Sequence, residues 1–144
     1  MTPEEIKQAN ALIAQVVDDV ISFCVEYPES TDGPRFGHCL QPFSTVPSNA
    51  YRVEIPCYDI DAAALMRVEE WLMTQEVSFV SHFEHGQYYW FAKTWHSTPS
   101  GNVCKEHKGC ADSNMEAKYQ CYLFAIRWIV EQAGSIKAAR EWKP

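Results

Sequence analysis

The stretch from Ser113 to Gly134 constrains the fold of this chain most, because it predicts a long helix buried on several sides. Ser113 can cap the first turn and Glu116, three residues later, can reach back to the cap, which is the capping-box pattern. Gly134 stands where a left-handed residue often ends a helix. The apolar side chains between these ends cover most of the helix circumference: Tyr119, Tyr122, Phe124, Ala125, Ile126, Trp128, Ile129, Val130 and Ala133. A helix that is apolar nearly all round belongs to a protein core.

The same stretch is unsuited to a membrane. It contains Lys118, Arg127 and Glu131, and its apolar run is shorter than the roughly 20 residues that span a bilayer. The sequence has no apolar run of that length elsewhere and no signal-peptide pattern at its start. We therefore expect a cytoplasmic protein without membrane association.

Hydrophobic periodicity predicts further elements around this helix. They are a helix from Thr2 to about Tyr27, a strand from Ala50 to Ile55, a helix from Asp59 or Asp61 to about Gln75, a hairpin of Val77 to Phe83 and Gln87 to Trp95, and a short terminal helix from Ser135 to Trp142. Residues 29–49 and 96–112 show no periodicity and are predicted to be loops. The sequence thus predicts one α+β domain over residues 1–144, with three main helices packed on a small antiparallel sheet of about three strands.

The apolar positions of these elements predict the core. Its expected members are Tyr122, Ile126, Ile129 and Val130 of the long helix, together with Ile13, Val17, Val20, Leu65, Leu72 and Trp90.

The predicted loop 96–112 contains the strongest chemical signal in the sequence. Cys104, His107 and Cys110 are each separated by two residues, and His96 precedes them as a fourth ligand. Zinc binds four sulfur or nitrogen ligands in a tetrahedron, and short knuckles let a chain wrap around one ion. Four protein ligands leave no open position for a reactive water, so we predict a structural zinc site that fixes the loop ahead of Ser113.

Other interpretations of these residue types remain open. A disulfide between Cys104 and Cys110 competes with zinc and requires an oxidising environment. A cysteine and a histidine could form a catalytic pair, although no local signature marks one. The rings and lysine of residues 88–95 could form a nucleic-acid platform on a sheet, but few bases lie nearby, and packing of these rings on helices accounts for them better.

The charge distribution suggests a partner. The chain has 19 acidic and 12 basic residues, a net charge of −7, and most of the acidic residues lie in its first half. An acidic surface repels nucleic acid and attracts basic surfaces, although acidic helix faces also serve solubility alone. The residues predicted to contact a basic partner surface are Asp18, Asp19, Glu26, Glu29, Glu69 and Glu70.

Several local features resemble a known family. They are the T-P-E-E-I start at residues 2–6, the Ile60-Asp61-Ala62 segment before an acidic helix, and the late helix that ends at Gly134 with Trp142 beyond it. Together with the element order, these patches resemble the small bacteriophage and prophage proteins described as α-β-α sandwich domains. The resemblance implies a phage accessory protein, with no established activity and no site residues.

Small acidic phage proteins include inhibitors of host defence such as anti-CRISPR proteins, and this analogy completes the functional hypothesis. We expect a non-enzymatic, phage-type accessory protein that binds and inhibits a host protein complex with a basic surface, in the host bacterial cytoplasm. The alternatives are a Cys/His-dependent enzyme and a zinc-stapled, nucleic-acid-associated module.

Overall fold

The structure is a computed structural model that describes residues 1–23, 36–40 and 50–141. Its elements in chain order are α1 (Pro3–Val17), β1 (Ser22–Phe23), β2 (Phe36–Leu40), β3 (Ala50–Glu54), α2 (Ala62–Thr74), β4 (Ser78–Glu84), β5 (Gln87–Thr98), β6 (Gly101–Ala111), α3 (Asn114–Ala133) and α4 (Ile136–Arg140). The predicted α+β class, with helices and small antiparallel sheets of three strands, is confirmed.

The chain forms two compact units, which we call the N-terminal unit (Met1–Cys57) and the C-terminal unit (Tyr58–Pro144). Within the described ranges, each unit contains one three-stranded antiparallel sheet, with strand order β1-β2-β3 in the first and β4-β5-β6 in the second. The expectation of a single domain over residues 1–144 stays a prediction. No helix in the described part of the chain is long and apolar enough to cross a membrane.

Helix α1 begins as predicted and ends earlier. Thr2 forms a full capping box with Glu5, and Pro3 follows at the first helical position, where its missing N–H costs nothing. The predicted end near Tyr27 is wrong, because α1 ends at Val17. Asp19 adopts a left-handed backbone with φ of 56°, which a helix cannot continue through. Residues 24–27 lie outside the described ranges.

The N-terminal sheet corrects one predicted loop. Strand β3 is confirmed, but β2 lies within residues 29–49, which were predicted to be irregular throughout. Gly37 and Cys39 of β2 are buried, and they pair with Val53 and Tyr51 of β3. Gly37 and Cys39 are small, and buried small residues give no strong hydrophobic signal for a sequence pattern to detect.

The hairpin of β4 and β5 is confirmed, including its turn. His85 and Gly86 both have left-handed backbones, with φ of 52° and 78°, and they separate the paired residues Glu84 and Gln87. Two consecutive left-handed residues make a type I′ turn, whose twist matches that of the flanking strands.

The predicted loop 96–112 is wrong in the same way as the first. Strand β5 continues to Thr98, and β6 pairs with it without interruption from Gly101 to Ala111. Most of β6 is exposed, and its buried members are His107, Gly109 and Ala111. The strand is mostly polar and is stabilised by pairing with β5. Because β5 is a separate segment, no pattern within β6 could predict this pairing.

Helix α3 packs on β5 and β6 and has the predicted caps. The Ser113 hydroxyl accepts the N–H of Glu116, and Gly134 has a left-handed φ of 88°. Helix α2 begins at Asp61, whose carboxylate accepts the N–H groups of Ala63 and Ala64. Seven of the predicted core residues are buried in their respective units: Ile13, Val20, Leu65, Leu72, Tyr122, Ile126 and Ile129.

Three predicted core residues, Val17, Trp90 and Val130, are only half-buried. For Trp90 the reason is visible, since its indole N–H donates to the side chain of exposed Asn114 at 2.6 Å. The Lys118 ammonium also lies 4.9 Å from the centre of the Trp90 ring, so the ring is half covered by a polar group rather than by core.

Candidate functional site

The four predicted zinc ligands do not converge. His96 lies opposite Val103 in the β5–β6 ladder, while Cys104, His107 and Cys110 follow one another along β6. Successive side chains of a strand point to opposite faces, so His107 lies on the face away from Cys104 and Cys110. Those two residues are about 20 Å apart along the strand. No group of three or more His, Cys, Asp or Glu residues suited to a metal occurs in the described ranges, and zinc binding stays a prediction.

The same geometry is incompatible with the alternative disulfide between Cys104 and Cys110. Cys104 and Cys110 are free thiols, and their separation along β6 far exceeds the roughly 7 Å between Cα atoms that a disulfide allows. Closing this bridge would require the strand to come apart.

The predicted acidic contact residues are divided between the two units. Asp18 and Asp19 directly follow α1 in the N-terminal unit, whereas Glu69 and Glu70 lie on α2 in the C-terminal unit. The Glu69 carboxylate accepts a hydrogen bond from the buried Tyr122 hydroxyl. Burial, and secondly this carboxylate, raise the pKa of Tyr122. Glu70 is exposed, and Glu26 and Glu29 lie outside the described ranges. Partner binding by this set stays a prediction.

His107 belongs to the inner face of the C-terminal sheet, the face that α3 covers. It is 7% exposed and its ring centre lies 5.7 Å from that of Trp128. Its Nε2 is 3.2 Å from the Thr94 hydroxyl, and that hydroxyl donates to the carbonyl of Lys105. The hydroxyl has a single proton, so Nε2 must donate to it and the neutral ring holds its proton there.

Burial, and secondly the nearby positive charge of Lys105, lower the pKa of His107 to about 4. His107 is therefore uncharged at neutral pH. Its neighbour Cys121 donates its thiol proton to the carbonyl of His107 at 3.5 Å, and burial raises the pKa of that thiol to about 12. These two buried groups stabilise the packing of α3 on the sheet and have no access to a substrate.

The opposite side of the same sheet, which we call the outer face, presents a row of rings to solvent. By the register of the three strands, its members include Val80, His82, Tyr89, Phe91, Lys93, Trp95, Cys104, Glu106, Lys108 and Cys110. Val80 is 55% exposed and Trp95 is 48% exposed, while Tyr89 and Phe91 are half-buried. Exposed apolar residues gathered on one face are uncommon in an isolated soluble domain and mark interaction surfaces.

Contacts within the outer face hold its rings in place. His82 stacks on Tyr89 with a centroid distance of 4.8 Å and on Phe91 with 5.7 Å, at interplanar angles of 15° and 16°. The Lys108 ammonium lies 5.1 Å from the centre of the Tyr89 ring, close enough for a cation–π interaction. The surface is therefore pre-ordered before any ligand arrives.

One end of the outer face has a small polar network. The Cys110 thiol donates to the Gln87 side-chain oxygen at 2.8 Å, and the Gln87 amide donates to Asp112 at 3.4 Å. Tyr89 pairs with Cys110 across the strands. The pKa of Tyr89 is raised, mainly by the negative charge that Cys110 carries when it is ionised. The thiols of Cys110 and Cys121 thus donate to oxygens, and neither is bonded to an imidazole nitrogen. The hypothesis of a Cys/His enzyme stays a prediction.

The rings of residues 88–95 were predicted to pack on helices, and for three of the five this prediction is wrong. Trp90 belongs to the inner face, but Tyr89, Phe91 and Trp95 lie on the outer face. A usable signal was present, because the inner positions after Trp90 are the small residues Ala92 and Thr94, both buried. Small side chains on one side of a strand are typical of close helix packing there, so the larger rings belong to the other side.

No protein-family model, curated protein or solved structure matches this chain. The resemblance to the phage sandwich proteins therefore stays a prediction.

Proposed function

We propose that this protein is a non-enzymatic binding protein that contacts a protein partner through the outer face of its C-terminal sheet. The observation that carries the proposal is the row of rings on that face, where exposed His82 stacks on half-buried Tyr89 and Phe91. Trp95 of the same row is 48% exposed. Aromatic residues are enriched at protein interfaces, and a few of them usually supply most of the binding energy. Rings that are already ordered lose little entropy on binding.

A protein partner fits this surface better than a nucleic acid. Single-stranded nucleic acids bind by stacking bases on free ring faces beside a basic groove. Here His82 already stacks on both Tyr89 and Phe91, and Lys108 lies over Tyr89. Glu106 pairs directly with Lys93 across the strands, which offsets one of the lysine charges of the face. Mixed charges around an apolar centre are typical of a protein interface.

The hypothesis of a phage-type inhibitor, including an anti-CRISPR-like one, names a class of partner within this function. Inhibition of a host protein complex requires stable binding, which an apolar surface supplies. The acidic residues predicted from the sequence would add attraction to a basic partner and accelerate association more than they tighten the complex.

Affinity capture from a bacterial lysate, followed by titration with the purified partner, tests the proposal. We expect Trp95→Ala and Phe91→Ala each to weaken binding at least about tenfold, as interface hot spots do. Phe124→Ala is the matched control, because Phe124 is a 41% exposed ring on α3, and its loss should leave the affinity unchanged. Equal binding by wild type and Trp95→Ala would exclude the outer face as the contact surface.

Charge reversal separates the acidic residues from the rings. Asp19→Lys and Glu70→Lys change one exposed residue in each unit. If the acidic residues steer a basic partner, these variants associate more slowly and respond less to added salt, while the dissociation rate stays near that of wild type. If Trp95→Ala still binds the partner and Glu70→Lys does not, the contact surface is the acidic face of α2 and not the rings of the outer face.

A further inference from the structure

We propose that two copies of this chain pair through β4, whose free edges join antiparallel around a two-fold axis at Ser81 to make a six-stranded sheet. Strand β4 is the terminal strand of the order β4-β5-β6, so one of its edges has no strand beside it in the described part of the chain. Unpaired strand edges are templates for pairing with another chain.

The structure shows which backbone groups of β4 point to that free edge. Residues 84 and 87 close a two-residue hairpin, and the closing pair of such a turn exchanges backbone hydrogen bonds. Residues at alternate positions do the same, so Ser78, Val80, His82 and Glu84 direct their backbone groups to β5. Phe79, Ser81 and Phe83 direct their backbone groups to the free edge of the sheet.

An independent contact gives the same assignment. The N–H of Cys110 in β6 donates to the Gln120 side chain at 3.1 Å and not to β5. The pair of Cys110 and Tyr89 is therefore not a bonded pair, and Tyr89 directs its backbone groups to β4 instead. The backbone groups of its β4 partner, His82, must then point to β5 and not to the free edge, in agreement with the hairpin.

The two edges of this sheet are protected unequally. Strand β6 has Lys105, Glu106 and Lys108 in its middle, and the Gln120 side chain accepts the N–H of Cys110 at its free edge. Charged residues of this kind prevent edge pairing in natural sheets. Strand β4 contains no lysine, no proline and no bulge, and its Phe83 is 61% exposed. The unprotected edge is therefore the one available to a partner strand.

The sequence of β4 is complementary to itself in one register. A two-fold axis at Ser81 places Phe79 opposite Phe83 of the second copy, and Ser81 opposite its own counterpart. In both copies, Phe79, Ser81 and Phe83 then exchange backbone hydrogen bonds with the other copy. Val80 lies opposite His82 of the second copy on the outer face, which extends the row of rings across the junction.

Charge complementarity favours the same register. Lys93 of β5 pairs with Ser78 of β4, and the axis places Glu84 of the second copy on the far side of that small serine. The long lysine and glutamate side chains can meet above Ser78, and the two-fold repeats the contact. In the described part of the single chain, the exposed Glu84 carboxylate lies 3.8 Å from the His82 imidazole and 3.3 Å from the His85 imidazole.

Sedimentation equilibrium of the full chain between about 5 µM and about 500 µM tests the proposal, because a dimer gains population with concentration. We expect wild type to reach twice the mass of one chain. Ser81→Pro removes the central outward N–H, which an edge strand tolerates, and should leave a folded monomer. Glu106→Pro is the matched control, because its N–H points outward on the other edge, and it should dimerise like wild type. A wild type that stays monomeric, or a Ser81→Pro variant that dimerises, would overturn the proposal.

Amide hydrogen exchange of wild type tests the register without any substitution. The amides of Phe79, Ser81 and Phe83 should become protected as the concentration rises, whereas those of Val80 and His82 are protected throughout by β5. Exchange of the first three that is independent of concentration would disprove β4 pairing even if a dimer forms elsewhere. The outcome is separate from the proposed function, since Trp95→Ala should leave the dimer intact and Ser81→Pro should leave the outer-face rings in place.

Discussion

The two faces of the C-terminal sheet are made by the same three strands, and each contains a histidine beside aromatic rings, yet the two histidines have opposite environments. The inner face holds His107 against α3, where it is neutral and inaccessible. The outer face holds His82 between two rings, where solvent reaches it. Strand alternation thus sorts similar residues to two sides of the sheet, and the side that α3 covers becomes core.

The close approach of α3 to the inner face should produce the largest effect. A methyl group at Gly109 would overlap the carbonyl oxygen of Ala117 and lie 2.8 Å from the amide nitrogen of Cys121, and backbone atoms cannot turn away. We expect Gly109→Ala to lower the free energy of unfolding by at least about 3 kcal/mol, the upper end of overpacking. Urea denaturation measures it.

The control for Gly109 lies on the outer face of the same strand. Cys104 is exposed, so Cys104→Ala should change the free energy of unfolding by less than about 0.5 kcal/mol. Equal effects of the two substitutions would show that α3 does not cover β6 as described.

The next largest effect concerns the helix itself. Ile126 is fully buried, and Ile126→Ala should cost about 2–5 kcal/mol through lost burial and the cavity left behind. Phe124→Ala, an exposed ring two residues earlier, should cost less than about 1 kcal/mol. Thermal or urea denaturation compares them. A loss below about 1 kcal/mol for Ile126 would place the core elsewhere.

A smaller effect should appear on acidification. Because the folded pKa of His107 is about 4 and an unfolded histidine titrates near 6.5, the unfolded state binds the proton more readily. Stability from this residue is present above pH 6.5 and falls as the pH drops towards 4. Between pH 7 and pH 5 the loss should be about 2 kcal/mol.

Comparison with a variant isolates this contribution from that of the carboxylates. His107→Gln keeps a side chain that can donate to Thr94 and cannot titrate, so its stability should change less between pH 7 and pH 5 than that of wild type. Parallel pH dependences for the two proteins would show that His107 is accessible to protons in the folded state.

The smallest perturbation is chemical labelling, which leaves the fold intact. A thiol reacts as its thiolate, so the exposed Cys57 and Cys104 should be alkylated early at pH 8, while Cys121, with a pKa of about 12, should react only after unfolding. Mass spectrometry of timed samples follows each site. Labelling of Cys121 as fast as Cys104 would contradict its burial, and an unusually fast Cys104 or Cys110 would favour the Cys/His enzyme.

The candidate site was only partly predictable. The alternation in residues 88–95 correctly indicated a strand with rings on both sides, but it could not say which rings were covered. The cysteines and histidines of residues 96–110 were interpreted as converging ligands because a loop can bring any of its residues together. In the structure His96 belongs to β5, whereas Cys104, His107 and Cys110 are spread along β6 and over its two faces.

The sequence by itself determined the features that depend on a few neighbouring residues: the caps of α3 at Ser113 and Gly134, the turn at His85 and Gly86, and the start of α1 at Thr2. These follow from local sterics and from hydrogen bonds between residues three or four apart. The tertiary structure alone decided that β2 and β6 are strands and which face of the second sheet is covered. A polar strand is stabilised by the backbone of the strand beside it, and a face becomes core when a helix removes it from water, so both depend on residues distant in the chain.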